Sequence, residues 1–245
     1  MAFDMTQYEG AGHDTLTDSG SMPLLTILQD MSPEVKKMKD EYIEGAQPGD
    51  ILFKSLGELV NQPASVVFIS KTDLYTEWKP RNSGGGLVAF HPPSIVGHPS
   101  YRKGANPEKP YLETLGENEL KYTNYWLVLI EHNNEVHRAL LAMSGSQLAV
   151  SRKLQGDIRK LKLPSGAPAP LFAYKWDLST QFIESDKGDY HNWVIKNPVA
   201  LDPEADEATL QLAAGTYDEQ RTLLPTATEA PALPDGEAID AEEAF

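Results

Sequence analysis

The sequence predicts a mainly β chain: a small antiparallel barrel of Greek-key type, with one or two short α-helices and disordered termini. Three observations carry this. Ala64 to Trp78 alternates like a strand over its whole length, and two later apolar stretches each double back across a polar turn. Strand and helix also never alternate regularly, as a parallel sheet would require.

The elements follow in order. Residues 1–22 are polar and glycine-rich, with nothing periodic to bury, and read as a disordered arm. Ser32-Pro33-Glu34 has the form of a helix start, with a capping hydroxyl and a proline where no amide is needed; the helix is expected to reach about Tyr42 and end before Gly45. Gln47-Pro48-Gly49-Asp50 is a turn, and Ile51-Leu52-Phe53 opens the first strand. In the long strand, Val66, Phe68, Ser70, Thr72, Leu74, Thr76 and Trp78 fall on one face. Val67, Ile69, Lys71, Asp73, Tyr75 and Glu77 fall on the other. Lys79 to Lys121 is irregular, with Gly84-Gly85-Gly86 and Pro92-Pro93, and loops of that length are usually functional or mobile. Tyr122–Glu131 and Val136–Met143 form a hairpin. A helix then places Leu148, Ser151, Leu154, Ile158 and Leu161 on one face. Leu171–Glu184 and Tyr190–Ile195 form a second hairpin, and a weak helix follows Pro203. Five or six antiparallel strands with one helix before the last pair suit the OB-fold. The expected divisions are an arm at 1–22, an OB-like domain at 23–198, a weak helix and linker at 199–224, and a disordered acidic tail at 225–245.

Charge is distributed unevenly. The 245 residues hold 36 acids and 21 bases, a net charge of -15. Residues 1–22 carry four acids and no base, and residues 199–245 carry twelve acids and one base, which leaves twenty of each between 23 and 198. The acidic excess belongs to the ends, and a balanced body remains able to meet a polyanion. There is no cysteine, hence no disulfide and no thiolate ligand, which fits a reducing cytoplasm. No apolar run approaches membrane-spanning length, and residues 1–22 lack the basic and apolar regions of a signal peptide.

The common catalytic signatures are absent: no nucleophile elbow, phosphate loop, zinc-protease helix or dinucleotide fingerprint. The chain is expected to be non-enzymatic, with neither cofactor nor metal. Glu184, Asp186 and Asp189 could serve metal-assisted hydrolysis but read as solvated turn residues. His132 and His137 flank a turn and read as solvated. Trp78, Trp126 and Trp176 read as core.

Single-stranded nucleic acid requires cations along the phosphates and flat side chains under the bases. Lys71 and Tyr75 share a strand face, followed by Lys79 and Arg81. Tyr101-Arg102-Lys103 sets an aromatic beside two cations, and Lys109 with Tyr111 repeats the pairing. Arg152, Lys153, Arg159 and Lys160 form a basic strip on the helix. The tail closes on Asp240, Glu242, Glu243, Ala244 and Phe245, joining a ring and an α-carboxylate on its last residue.

An OB-like body with an acidic tail ending in Phe resembles the replicative single-stranded DNA-binding proteins of bacteria and tailed phages. Pro23 to Lys196, with Leu28-Gln29-Asp30-Met31-Ser32-Pro33-Glu34-Val35, Gly49-Asp50 and Tyr75…Glu77-Trp78, looks closest to the phage-encoded members. The resemblance implies sequence-tolerant single-stranded DNA binding in phage replication and recombination, through Lys71, Tyr75, Lys79, Arg81, Tyr101, Arg102 and Lys103. It also implies that Asp240, Glu242, Glu243 and Phe245 recruit replication and recombination proteins and compete for the DNA groove. Bacterial members carry a proline before the final Phe; Ala244 stands here, which leaves the tail's partner open. The alternatives are a phage structural or assembly protein and a metal-dependent nuclease.

Overall fold

The structure, a computed structural model, describes residues 22–104, 110–163, 165–186 and 188–224. The expected disordered arm, apart from its last residue, and the acidic tail with Asp240, Glu242, Glu243 and Phe245 lie outside them, as does Lys109. The described chain is mainly β, a curled half-barrel sheet with two α-helices. In order it forms β1 (Leu24–Ile27), β2 (Ile51–Phe53), β3 (Glu58–Val60), β4 (Ala64–Trp78), β5 (Leu87–His91), β6 (Tyr101–Lys103), β7 (Glu113–Leu115), β8 (Asn118–His132) and β9 (Glu135–Ser144). Then follow α1 (Gln147–Ile158), β10 (Tyr174–Ile183), β11 (Tyr190–Ala200) and α2 (Glu207–Leu223).

The eleven strands make one sheet whose main path runs β11-β10-β4-β8-β9-β1-β2-β3. Neighbours pair antiparallel except β1 with β9, which is parallel. The strand number exceeds the expected five or six because β1, ahead of the expected first strand, β3, and β5, β6 and β7 in the Pro- and Gly-rich stretch after Lys79 are each too short to show a period. Past the barrel, β4 and β8 run on together. β5 joins the outer edge of β4, and β7 with β6 joins that of β8, so the continuation is a five-stranded arm.

β4 has the bounds that alternation predicts, but not the faces. A bulge between Phe68 and Ser70 leaves Ile69 without an opposite residue on β8. An extra residue reverses the parity of everything after it. Val66 and Phe68 point into the barrel; beyond the bulge it is Lys71, Asp73, Tyr75 and Glu77 that continue this inner face, while Leu74 joins Val67 and Ile69 outside. The inner core packs Phe68, Trp126, Trp176 and Trp193 with Phe53, Ile130 and Leu141, and α1 covers it with Leu154, Val150 and Ile158. The outer core lies between β4, β8 and α2, where Leu127, Leu129 and Ile69 meet Ala213 and Leu210. Trp126 and Trp176 are core as expected, and so is Trp193.

Two local expectations fail. Ser32 starts only a 3₁₀ turn, Pro33–Val35, because its hydroxyl accepts from the Gln29 amide behind it and caps nothing ahead. Lys36 to Glu41 then offers no apolar stripe to hold a longer helix. His132 is not solvated: it is buried, 2.8 Å from the Glu58 carboxylate, with its ring stacked on Phe53 at the end of the barrel.

Candidate functional site

The bulge decides which side chains share a surface. Along the inner face of the arm, the Lys71 ammonium lies 2.7 Å from Asp73 and 5.8 Å from the centre of the Trp126 ring. Asp73 also accepts from Asn124 Nδ2 at 2.6 Å. Tyr75 packs on Tyr122 with ring centres 5.2 Å apart. Glu77 is gripped by His91 Nε2 at 2.5 Å and Asn118 Nδ2 at 2.6 Å, so one carboxylate ties β5, β4 and the start of β8. On β7, Glu113 takes Lys103 of β6 at 2.6 Å.

These contacts set the electrostatics. Burial, then the Glu113 carboxylate, raises the Tyr75 phenol above its ordinary value, and the same two causes raise Tyr101. Burial and Asp73 raise Tyr122. Hydrogen bonding to Glu113 holds the Lys103 ammonium above its usual range. All three tyrosines stay neutral at physiological pH, and Lys103 stays charged beside Glu113.

The sequence-predicted residues divide accordingly. Tyr75 is buried at 9% exposure and offers no open face. Tyr101 is half-buried, while Lys79, Arg102 and Lys103 are exposed. Arg102 is folded back, donating from Nη1 to the carbonyls of Pro99 at 2.6 Å and Tyr101 at 2.7 Å. Arg81 lies in a 3₁₀ turn, Arg81–Ser83, in the connection from β4 to β5. On α1 and just past its end, Arg152, Lys153, Arg159 and Lys160 are all exposed. Asp157 lies 2.7 Å from Lys153 and 2.9 Å from Lys160, and these two lysines hold its carboxyl below the usual range.

One residue that sequence reasoning assigned to the core, and that is buried there, links β4 to α1. Trp126 Nε1 donates to Ser151 Oγ of α1 at 2.9 Å, on the same indole that Lys71 faces from β4. The ring thus ties α1 to the sheet through Ser151 on the buried face of the helix, while Arg152, Lys153, Arg159 and Lys160 stand on its exposed side. Its partner was visible as a serine on the apolar face of α1, where a buried hydroxyl needs a bond. Tyr111 is a further exposed aromatic, at 56% exposure beside the arm. The carboxylates of the proposed nuclease cluster do not converge: Asp189 accepts from the Ser185 amide, and no group of three or more His, Asp or Glu among the described residues could hold a metal ion. Nor is any described helix long and apolar enough to cross a membrane.

Residues 1–222 match the family model described as Pam3 phage gp34-like protein. No curated protein and no solved structure matches the chain.

Proposed function

The chain belongs to the Pam3 phage gp34-like family, and from that premise we propose that it is a phage single-stranded DNA-binding protein acting in DNA replication and recombination. What supports this reading most is the set of exposed cations, Arg152, Lys153, Arg159 and Lys160 on and just past α1 with Lys79, Arg102 and Lys103 on the arm, beside the exposed ring of Tyr111. In this reading phosphates track Arg152, Lys153, Arg159 and Lys160 and continue towards Lys79, Arg81, Arg102 and Lys103. Bases stack on Tyr101 and Tyr111, with each stacked base contributing about 1–3 kcal/mol. Tyr75 supports that surface from beneath. The carboxylates of Asp73 and Glu113 temper the local charge, so binding is moderate, sequence-tolerant and sensitive to salt. No chemistry and no cofactor are assigned. The tail residues Asp240, Glu242, Glu243 and Phe245 recruit replication and recombination proteins and compete for the cationic strip.

Titration of labelled oligo-dT with the full chain and with residues 1–224 tests this. Binding is expected at low salt, with tighter binding after truncation. Affinity should fall as salt rises, and Arg152→Glu with Arg159→Glu should reduce the log–log salt slope by roughly 1–1.5. Failure of both forms to bind at low salt would end the proposal.

A further inference from the structure

The curled sheet is not closed by strand pairing. β10 pairs with β4 only from Lys175 to Leu178, and the rest of the β10–β11 hairpin extends past this anchorage. Side chains span the gap to the other end of the sheet. Gln29, just after β1, accepts from the His191 N–H at 2.8 Å and donates to the His191 carbonyl at 3.0 Å. Gln62, just after β3, accepts from the Thr180 N–H at 2.8 Å and donates to the Gly49 carbonyl at 2.9 Å. The Thr180 hydroxyl donates to the same Gly49 carbonyl. Each amide thus satisfies one donor and one acceptor, as a residue of a neighbouring strand would.

Two further observations bear on this seam. Gly49 has φ +94°, and a Cβ there would lie 2.7 Å from His191 Cδ2, so the loop can approach the hairpin only as glycine. On the hairpin itself, Trp176 and Trp193 are buried with indole N–H groups that have no acceptor among the described residues. Unmade hydrogen bonds favour any opening that admits water.

We infer that the outer half of the β10–β11 hairpin is a flap, clasped by the Gln29 and Gln62 amides, which opens locally and exposes the barrel interior at Trp193. Besides the packing of Trp193 in the inner core, closure rests on a few side-chain bonds, whereas β4 and β8 are held by a continuous ladder, so the flap opens without unfolding the sheet. The inference does not depend on DNA binding.

Native-state hydrogen exchange on the full chain, read by peptide mass spectrometry, provides the test. In the wild type, peptides within 179–194 should exchange at least about tenfold faster than those of β4 and β8. Gln29→Glu and Gln62→Glu keep the shape but remove the donors, and each should speed exchange in 179–194 by about five- to tenfold while leaving β4 and β8 unchanged. Equal rates for 179–194 and the β4–β8 ladder in the wild type would overturn the flap, and that comparison needs no variant. A uniform acceleration of every peptide in the variants would likewise overturn it.

Discussion

Lys121 and Tyr125 give opposite pH signatures. Lys121 is half-buried on β8, and burial pulls its ammonium down to about 8. An unfolded lysine titrates near 10.4, so between about pH 8 and 10.4 the unfolded chain holds a proton that the folded chain has released. Stability from this group therefore rises with pH across that window. Tyr125 acts the other way: burial raises its phenol to about 12, and above about pH 10 the unfolded chain ionises first, so stability falls. Lys121→Met should gain about 1–2 kcal/mol at pH 7, a figure discounted for partial exposure, and should flatten the rise. Urea unfolding at pH 7 and 9.5 measures both; an unchanged difference between the two pH values would contradict the assignment. Ser151→Ala should cost about 1–3 kcal/mol, because it strips Trp126 Nε1 of its acceptor in the core. A stability change near zero would show that the indole finds another partner.

Elements differ in how plainly the sequence announces them. β4 is long enough for alternation to stand out, β8, β9 and the β10–β11 hairpin show as long apolar stretches across polar turns, and α1 and α2 follow Ser146 and Pro203 much as read. β5, β6 and β7 are stretches of three to five residues between prolines and glycines, defined by partners distant in sequence. The bulge at Ile69 is silent for a related reason: nothing in Phe68-Ile69-Ser70 reports that β8 has one residue fewer to offer. This is why Tyr75 reads as an accessible face and is found buried against Tyr122. The clasp was equally hidden, since Gln29 and Gln62 look like ordinary loop glutamines. α2 is fixed to β9 by Arg138, which donates to Thr216 Oγ1 at 3.0 Å and to Glu219 at 2.8 Å. Arg138→Met should therefore loosen α2 by about 1–2 kcal/mol and speed limited proteolysis around 202–206. Cleavage at the wild-type rate would mean that the apolar contacts of Leu210 and Ala213 hold the helix alone.

At the scale of the whole molecule, two packed faces share one pair of strands. The barrel interior and the α2-covered face both depend on β4 and β8, so damage there spreads to both. Phe68→Ala, at the meeting of Trp126 and Trp176, should cost about 3–5 kcal/mol and lower the denaturation midpoint recorded by any probe. A loss confined to tryptophan fluorescence, with far-ultraviolet dichroism unmoved, would show that the two faces melt separately. The bulge also dictates how such a protein can change size. Beyond Ile69 every residue of the arm is committed to one side, so adding a single residue to β4 would turn tyrosines outward and leucines inward. Adding two, matched by two on β8, would restore the pattern. The reach of the arm can therefore be lengthened or trimmed between relatives only in steps of two residues per strand, about 7 Å at a time.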